Sequence, residues 1–185
     1  MKTYAFIIAL ILTGTLQAQP DPEKHLELSL SGLYQNFSGV TNNQVSDAFF
    51  ISPRLGYRLA EGFEIEPEAT LMAAKGSSPV YILNGNVSYN FTSSGKAVPF
   101  LLIGYGAANE VPFLQLPSLR TGSWIGVLNV GAGVKGYLSK DVALRLEYRY
   151  QQFSGMAQEN LADYSSQAKI NHEINTLQFG FSVLL

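Results

Sequence analysis

Cysteine is missing altogether from the 185 residues, charge is scarce, and only two histidines occur. The first absence excludes a disulfide framework, a thiol nucleophile, a thiolate zinc site and a lipidated N-terminal cysteine. Charged residues make up 14% of the chain, against about 25% in soluble domains, so the usual charged surface is not available. A formal charge of -2 gives no electrostatic case for nucleic acid. Past the N-terminal region no apolar run approaches a membrane-spanning helix, which takes roughly 20 residues. What the chain does have is 17 glycines and 12% aromatic residues, the makeup of a turn-rich β protein.

The first residues read MKTYAFIIALILTGTLQAQP. Lys2 precedes an apolar run from about Tyr4 to Leu12, and small and polar residues follow up to Ala18. This is the pattern of a secretory signal peptide over residues 1–18, with an exported chain from Gln19 to Leu185. A transmembrane helix would need a longer run, and Gln17, Gln19 and Asp21 come too soon.

The stretch VALRLEYRYQ, residues 142–151, sorts cleanly at a period of two. Val142, Leu144, Leu146, Tyr148 and Tyr150 fall on one face, and Arg145, Glu147 and Arg149 on the other. At a helical period the arginines would enter the apolar stripe. The same rhythm recurs over 25–37, 49–59, 63–71, 81–91, 124–138 and 174–185. The sharpest case is 63–71, where Phe63, Ile65, Ala69 and Leu71 oppose Glu64, Glu66, Glu68 and Thr70. One segment, 99–107, carries apolar residues on both faces. Eight alternating segments of about ten residues are the signature of membrane-spanning strands.

The connectors alternate too. Those at 60–62, 92–97 and 139–141 are short, whereas 38–48, 108–123 and 151–173 are long; 73–79 is intermediate. Short turns on one side and long loops on the other match outer-membrane barrels and place both termini on the periplasmic side. Aromatic residues mark both ends of the strands. Tyr57, Phe63, Tyr89 and Phe91 lie at the short-turn ends, and Tyr34, Phe49, Tyr81, Tyr148 and Tyr150 at the long-loop ends. Two such belts suit a bilayer and are not required by a soluble sandwich. The sequence therefore predicts an all-β, eight-stranded, antiparallel, up-and-down transmembrane barrel, apolar outside and polar within. Pro53 and Pro67 fall inside strands, where bulges or local widening are expected.

The segments GAGVKGYLSKDVALRLEYRY (131–150) and VPFLLIGYGA (98–107) resemble strands of the OmpA/OmpX-like outer-membrane β-barrel family. The C-terminal QFGFSVLL resembles that family's assembly signal, through Gln178, Gly180, Val183 and Leu185, although the final residue is leucine and not aromatic. The resemblance covers the mature chain and implies an architecture rather than an activity. It implies outer-membrane lipid and lipopolysaccharide as surroundings, the barrel assembly machinery as a partner, and a monomer. The peptidoglycan-binding domain behind some family barrels is not expected, because the sequence stops at the last strand.

Three groups of residues are candidates for function. Glu64, Glu66, Glu68, Lys135, Arg145, Glu147 and Arg149 face inward and would form either an ion path or a charged plug. An eight-stranded barrel is only wide enough for side chains to fill it, and four acids against three bases pair closely, so the plug is the reading adopted. The loop NEVPFLQLPSLRTG (109–122) exposes Phe113, Leu114, Leu116 and Leu119, as an extracellular ligand site or a contact with the rim or outer leaflet. Catalysis would need a histidine close to a serine or acid, and His25 and His172 supply no such motif. No loop shows metal-ligand spacing. Gly131 and Gly133 lie in a strand with no helix after it, so a nucleotide fingerprint is rejected. The expectation is a non-enzymatic surface or structural barrel with no cofactor, with a narrow pore as the alternative and a lipid A-modifying enzyme last.

Overall fold

The computed structural model describes residues 21, 23–36, 47–59, 62–74, 78–91, 96–112, 119–120, 124–161 and 164–185. The expected signal peptide and the loop residues Phe113, Leu114 and Leu116 lie outside the described residues. Strands are β1 (Leu26–Asn36), β2 (Asp47–Arg58), β3 (Phe63–Ala74), β4 (Val80–Asn90), β5 (Ala97–Ala108), β6 (Leu119–Arg120), β7 (Ile125–Tyr137), β8 (Val142–Leu161) and β9 (Tyr164–Leu184). Each long strand pairs antiparallel with the next, and β9 pairs back on β1 from Glu27↔Leu184 to Gly32↔Phe179. The result is a closed barrel of eight strands, with β6 a two-residue addition outside the ring. Closure removes the open edge that lipid would not tolerate.

Alternation decides which way every strand faces. On β3, Glu64, Glu66, Glu68 and Thr70 are buried inside, while Phe63, Ile65, Pro67 and Ala69 face out. On β8 the arginines and Glu147 point in and Tyr148 points out. The ambiguous β5 resolves as Val98, Phe100 and Leu102 inside against Leu101, Ile103 and Tyr105 outside. Both aromatic belts are on the outer surface, and Tyr105 and Trp124 join the one at the long-loop end. In the short-turn belt Phe63 meets Tyr89 edge-on at 4.9 Å, and Tyr89 meets Phe91 at 5.0 Å. Gly62, at the β2–β3 turn, has a φ of 86°, where a side chain would be strained.

Three expectations need correction. First, of the bulge or local widening expected at the prolines, the bulge is absent. The β1–β2 register runs unbroken through Leu30↔Pro53, and the β3–β4 register through Pro67↔Gly85. Both prolines instead turn their missing N–H toward the β2–β3 seam. There the pairs Ile51↔Leu71, Arg54↔Glu68 and Tyr57↔Ile65 keep one register while the positions between them drop out of the ladder. Side chains bridge this gap from within, through Ser52 Oγ to Thr70 Oγ1 at 2.8 Å and Arg54 Nε to Glu68 Oε2 at 2.8 Å. Replacing Pro53 and Pro67 together by valine should restore two donors and raise stability by about 0.5–1.5 kcal/mol per bond. A higher urea midpoint in lipid with an unchanged slope is the expected readout.

Second, 151–173 is not an irregular loop. The β8–β9 ladder continues from Gln151↔Ile174 to Leu161↔Tyr164, well past Gly126↔Ser154, where β7 ends its pairing. Third, the lumen is not polar throughout. Along β8 the inward residues run Ala143, Arg145, Glu147, Arg149, Gln151, Phe153, and along β3 they run Glu64, Glu66, Glu68, Thr70, Met72. Charges occupy the middle, with hydroxyls and amides above them. Val98, Tyr137, Ala143 and Leu184 close the short-turn end, and a cluster including Phe50, Met72, Ile82, Val127 and Phe153 closes the other. Sequence alternation reports a change of face but not whether the inner face meets charge or hydrocarbon.

Candidate functional site: a charged layer inside the barrel

All seven inward charges expected from the sequence sit in this layer, and the structure adds Glu27, Arg54 and Arg58. Five carboxylates thus stand against five cations, where the sequence reading had joined four to three. The signal for the extra three was present. Glu27 alternates with Leu26 and Leu28, and Arg54 and Arg58 share the polar face of β2, yet only strand closure brings them to the others.

At the short-turn end Lys135 Nζ lies 2.9 Å from Glu27 and 2.8 Å from Glu64. Arg58 reaches Glu27 at 2.9 Å and donates to the Tyr137 hydroxyl. Further in, Arg145 spans Glu66 at 2.9 Å and Glu147 at 3.0 Å, with its guanidinium 4.3 Å from the centre of the Phe100 ring. The far part holds Arg54 and Arg149, both between Glu68 and Glu147 at 2.5–2.8 Å.

Glu147 is the hub. Its Oε2 accepts from Arg54 Nη1 at 2.8 Å and Arg145 Nε at 3.0 Å, and its Oε1 from Arg149 Nε at 2.7 Å. Arg54 Nε, Arg145 Nη2 and Arg149 Nη2 reach carboxylates at ion-pair distance without hydrogen-bond alignment. Their four contacts, two of them made by Arg145 Nη2, are therefore Coulombic, and the aligned bonds fix the geometry. Unpaired, each buried ion would cost several kcal/mol, so the one-to-one balance is what lets ten charges share the interior.

Large side chains fit because glycine faces them. Gly133 is register partner to both Phe100 and Glu147, and a Cβ there would meet the Phe100 ring at 2.5 Å. Gly56 likewise lies under the Glu64 carboxylate. Small opposite large is how a narrow barrel fills its section.

The remaining candidates scatter. Gln178 faces inward and accepts from Arg54 Nη2 at 2.9 Å; Gly180 is paired with Ser31; Leu185 is exposed. Leu119 lies on β6, paired with Glu159 of β8. His25 Nδ1 is 3.2 Å from the Arg58 carbonyl oxygen at the short-turn end, whereas His172 pairs with Phe153 on the far hairpin. The two histidines are thus at opposite ends. Among the described residues no group of three histidines or acids is arranged to hold a metal.

A closed ring of eight antiparallel strands, lipid-facing apolar residues between aromatic belts, and an inward charged layer together describe one class of protein. The family model for the outer membrane protein β-barrel domain matches residues 6–183. The chain belongs to that family. Membership places this outer-membrane β-barrel protein in the bacterial outer membrane. No curated protein matches it significantly. Among solved structures, Neisserial surface protein A is 14% identical with a TM-score of 0.57, covering 87% of this chain and 96% of that one. The N-terminal barrel of Pseudomonas aeruginosa OprF is 15% identical, with a TM-score of 0.55 and 88% and 98% coverage. OprG from Pseudomonas aeruginosa is 12% identical, with a TM-score of 0.55 and 91% and 99% coverage. At these identities the likeness is one of fold.

Proposed function

We propose that this outer-membrane barrel is a non-conducting, non-enzymatic monomer whose outward-facing loops and hairpin carry its interactions. One observation carries the reading: five acids and five bases pair across the lumen, between apolar clusters at both ends. Side chains that fill an eight-stranded section leave no aqueous path, and apolar constrictions oppose ion entry. Outer-membrane lipid and lipopolysaccharide are its surroundings. Gln178, Gly180, Val183 and Leu185 are the segment offered to the barrel assembly machinery, and the loop 109–122, with Phe113, Leu114, Leu116 and Leu119, is the site offered to an extracellular ligand.

The second reading, a narrow pore, draws on the shared partners. Glu147 binds three arginines and Glu68 two, so pairs have somewhere to move if they exchange. Single-channel recording separates the two readings. The refolded mature chain, with folding checked by its heat-dependent gel shift, should give a silent planar bilayer. Sustained current steps altered by Glu66→Gln would instead establish the pore.

A further inference from the structure

The ring closes where β9 meets β1, and that ladder is the short one for both strands. Gly32 is the last residue of β1 paired with β9, whereas pairing with β2 continues to Asn36; β9 in turn stays paired with β8 as far as Tyr164. At the short-turn end the closing ladder finishes at Glu27↔Leu184, and the residues before β1 do not leave the barrel there. Asp21 N donates to Lys140 O at 3.2 Å. Lys24 Nζ lies 2.8 Å from the Asp141 carboxylate and donates to Leu184 O at 3.1 Å. Lys140 and Asp141 belong to the β7–β8 turn, so the segment passes over the end of β9 and takes hold of the turn beyond it. On the other side His25 O accepts from Arg58 N at 2.7 Å, and His25 Nδ1 donates to Arg58 O at 3.2 Å. Both the segment and its anchor are shaped locally. Asp21 Oδ1 accepts from Glu23 N at 3.0 Å, and Ser139 Oγ accepts from Asp141 N at 3.3 Å and Val142 N at 3.1 Å.

We propose that the segment carrying Asp21, Lys24 and His25 is a strap that clasps the closing seam of the barrel. The ends of a ladder are where a sheet opens first. Here the end is held by Leu184 N donating to Asp141 O at 2.7 Å and Leu185 N donating to Leu26 O at 2.9 Å. For β9 and the β7–β8 turn to swing away from β1, the strap must give up Lys140, Asp141 and Leu184 together. These contacts join residues far apart in the chain, so they form only once the ring has closed. The entropy of bringing them together is by then already lost to the ladder, and the strap adds its hold at little further cost. Leu184 also packs with Val98, Tyr137 and Ala143 in the cluster that closes the short-turn end. Holding the seam therefore holds that cap as well.

The test is backbone amide hydrogen exchange of the refolded barrel in lipid nanodiscs, read residue by residue by NMR. Lys24→Gln, a shorter side chain without charge, should speed exchange at Leu184 and Leu185 about two- to fivefold, the equivalent of losing an exposed ion pair. Asp141→Asn keeps the bond from Lys24 to Leu184 O and should have the smaller effect; added to Lys24→Gln it should have none. Two amides at the same rim but away from the seam serve as controls. Phe91 N donates to Pro99 O and Tyr137 N to Lys96 O, both at 2.9 Å, and exchange at both should stay as in the wild type. Unaltered rates at Leu184 and Leu185 would overturn the proposal. So would an equal rise at Phe91 and Tyr137, which would mark a general loss of stability and not a clasp.

Discussion

Replacing Glu147 by leucine should lower the stability of the folded barrel by about 3–5 kcal/mol, the range for breaking a buried ion pair from one side. The substitution removes the carboxylate that Arg54, Arg145 and Arg149 share. Arg145 keeps Glu66, but Arg54 and Arg149 are left to divide Glu68 between them. None of the three can turn outward, because the wall faces hydrocarbon. The measurement is equilibrium urea unfolding in phospholipid vesicles, followed through the single tryptophan, Trp124, with the gel shift as a check on folding. A second substitution identifies the cause. Arg54→Met in the Glu147→Leu background restores one-to-one pairing, so the double variant should be more stable than Glu147→Leu alone, with a coupling of roughly 0.5–3 kcal/mol. Additive losses would mean that charge balance does not hold this interior together.

The second large effect belongs to the outer wall. Ile103, in the middle of β5, faces out and is 59% exposed, while its neighbour Leu102 is buried in the lumen. Ile103→Arg should cost about 2–4 kcal/mol in a bilayer, the depth-dependent cost of arginine on the lipid face of a barrel. In water the same exposed position would accept arginine nearly without cost. The unfolding free energy in vesicles therefore tests what the wall touches. A loss below about 0.5 kcal/mol, the range for neutral surface substitutions, would refute a lipid-facing assignment for this row.

The outer surface was legible because it obeys one rule. Leu28, Val87, Val130, Phe179 and Phe181 alternate with polar or glycine neighbours, and hydrocarbon demands apolar contact at each of them. The interior was legible only in its middle. Glu64 to Glu68 and Arg145 to Arg149 announce themselves because charge is rare in this chain. Phe50 and Ile82 also point inward, but inward apolar residues next to outward apolar residues leave no contrast to read, as in β5. The prolines were visible, yet their consequence was not. Whether Pro53 distorts a strand or merely drops a hydrogen bond depends on which neighbour its nitrogen faces, and that follows from pairing.

The hairpin from 151 to 173 misled for a related reason. Its polar composition looks like a loop, because a strand that leaves the bilayer loses the lipid face that makes alternation visible. By itself the sequence determined the strand count, the two faces of most strands, the asymmetry of turns and loops, and the nature of the surrounding solvent. These are local properties, fixed by a period of two and by the cost of charge in lipid. The tertiary structure alone decided that Glu147 binds three arginines, that Glu27, Arg54 and Arg58 complete the balance, and that apolar caps enclose an amide layer. Those depend on the stagger between strands, which closure of the ring sets and no single segment encodes.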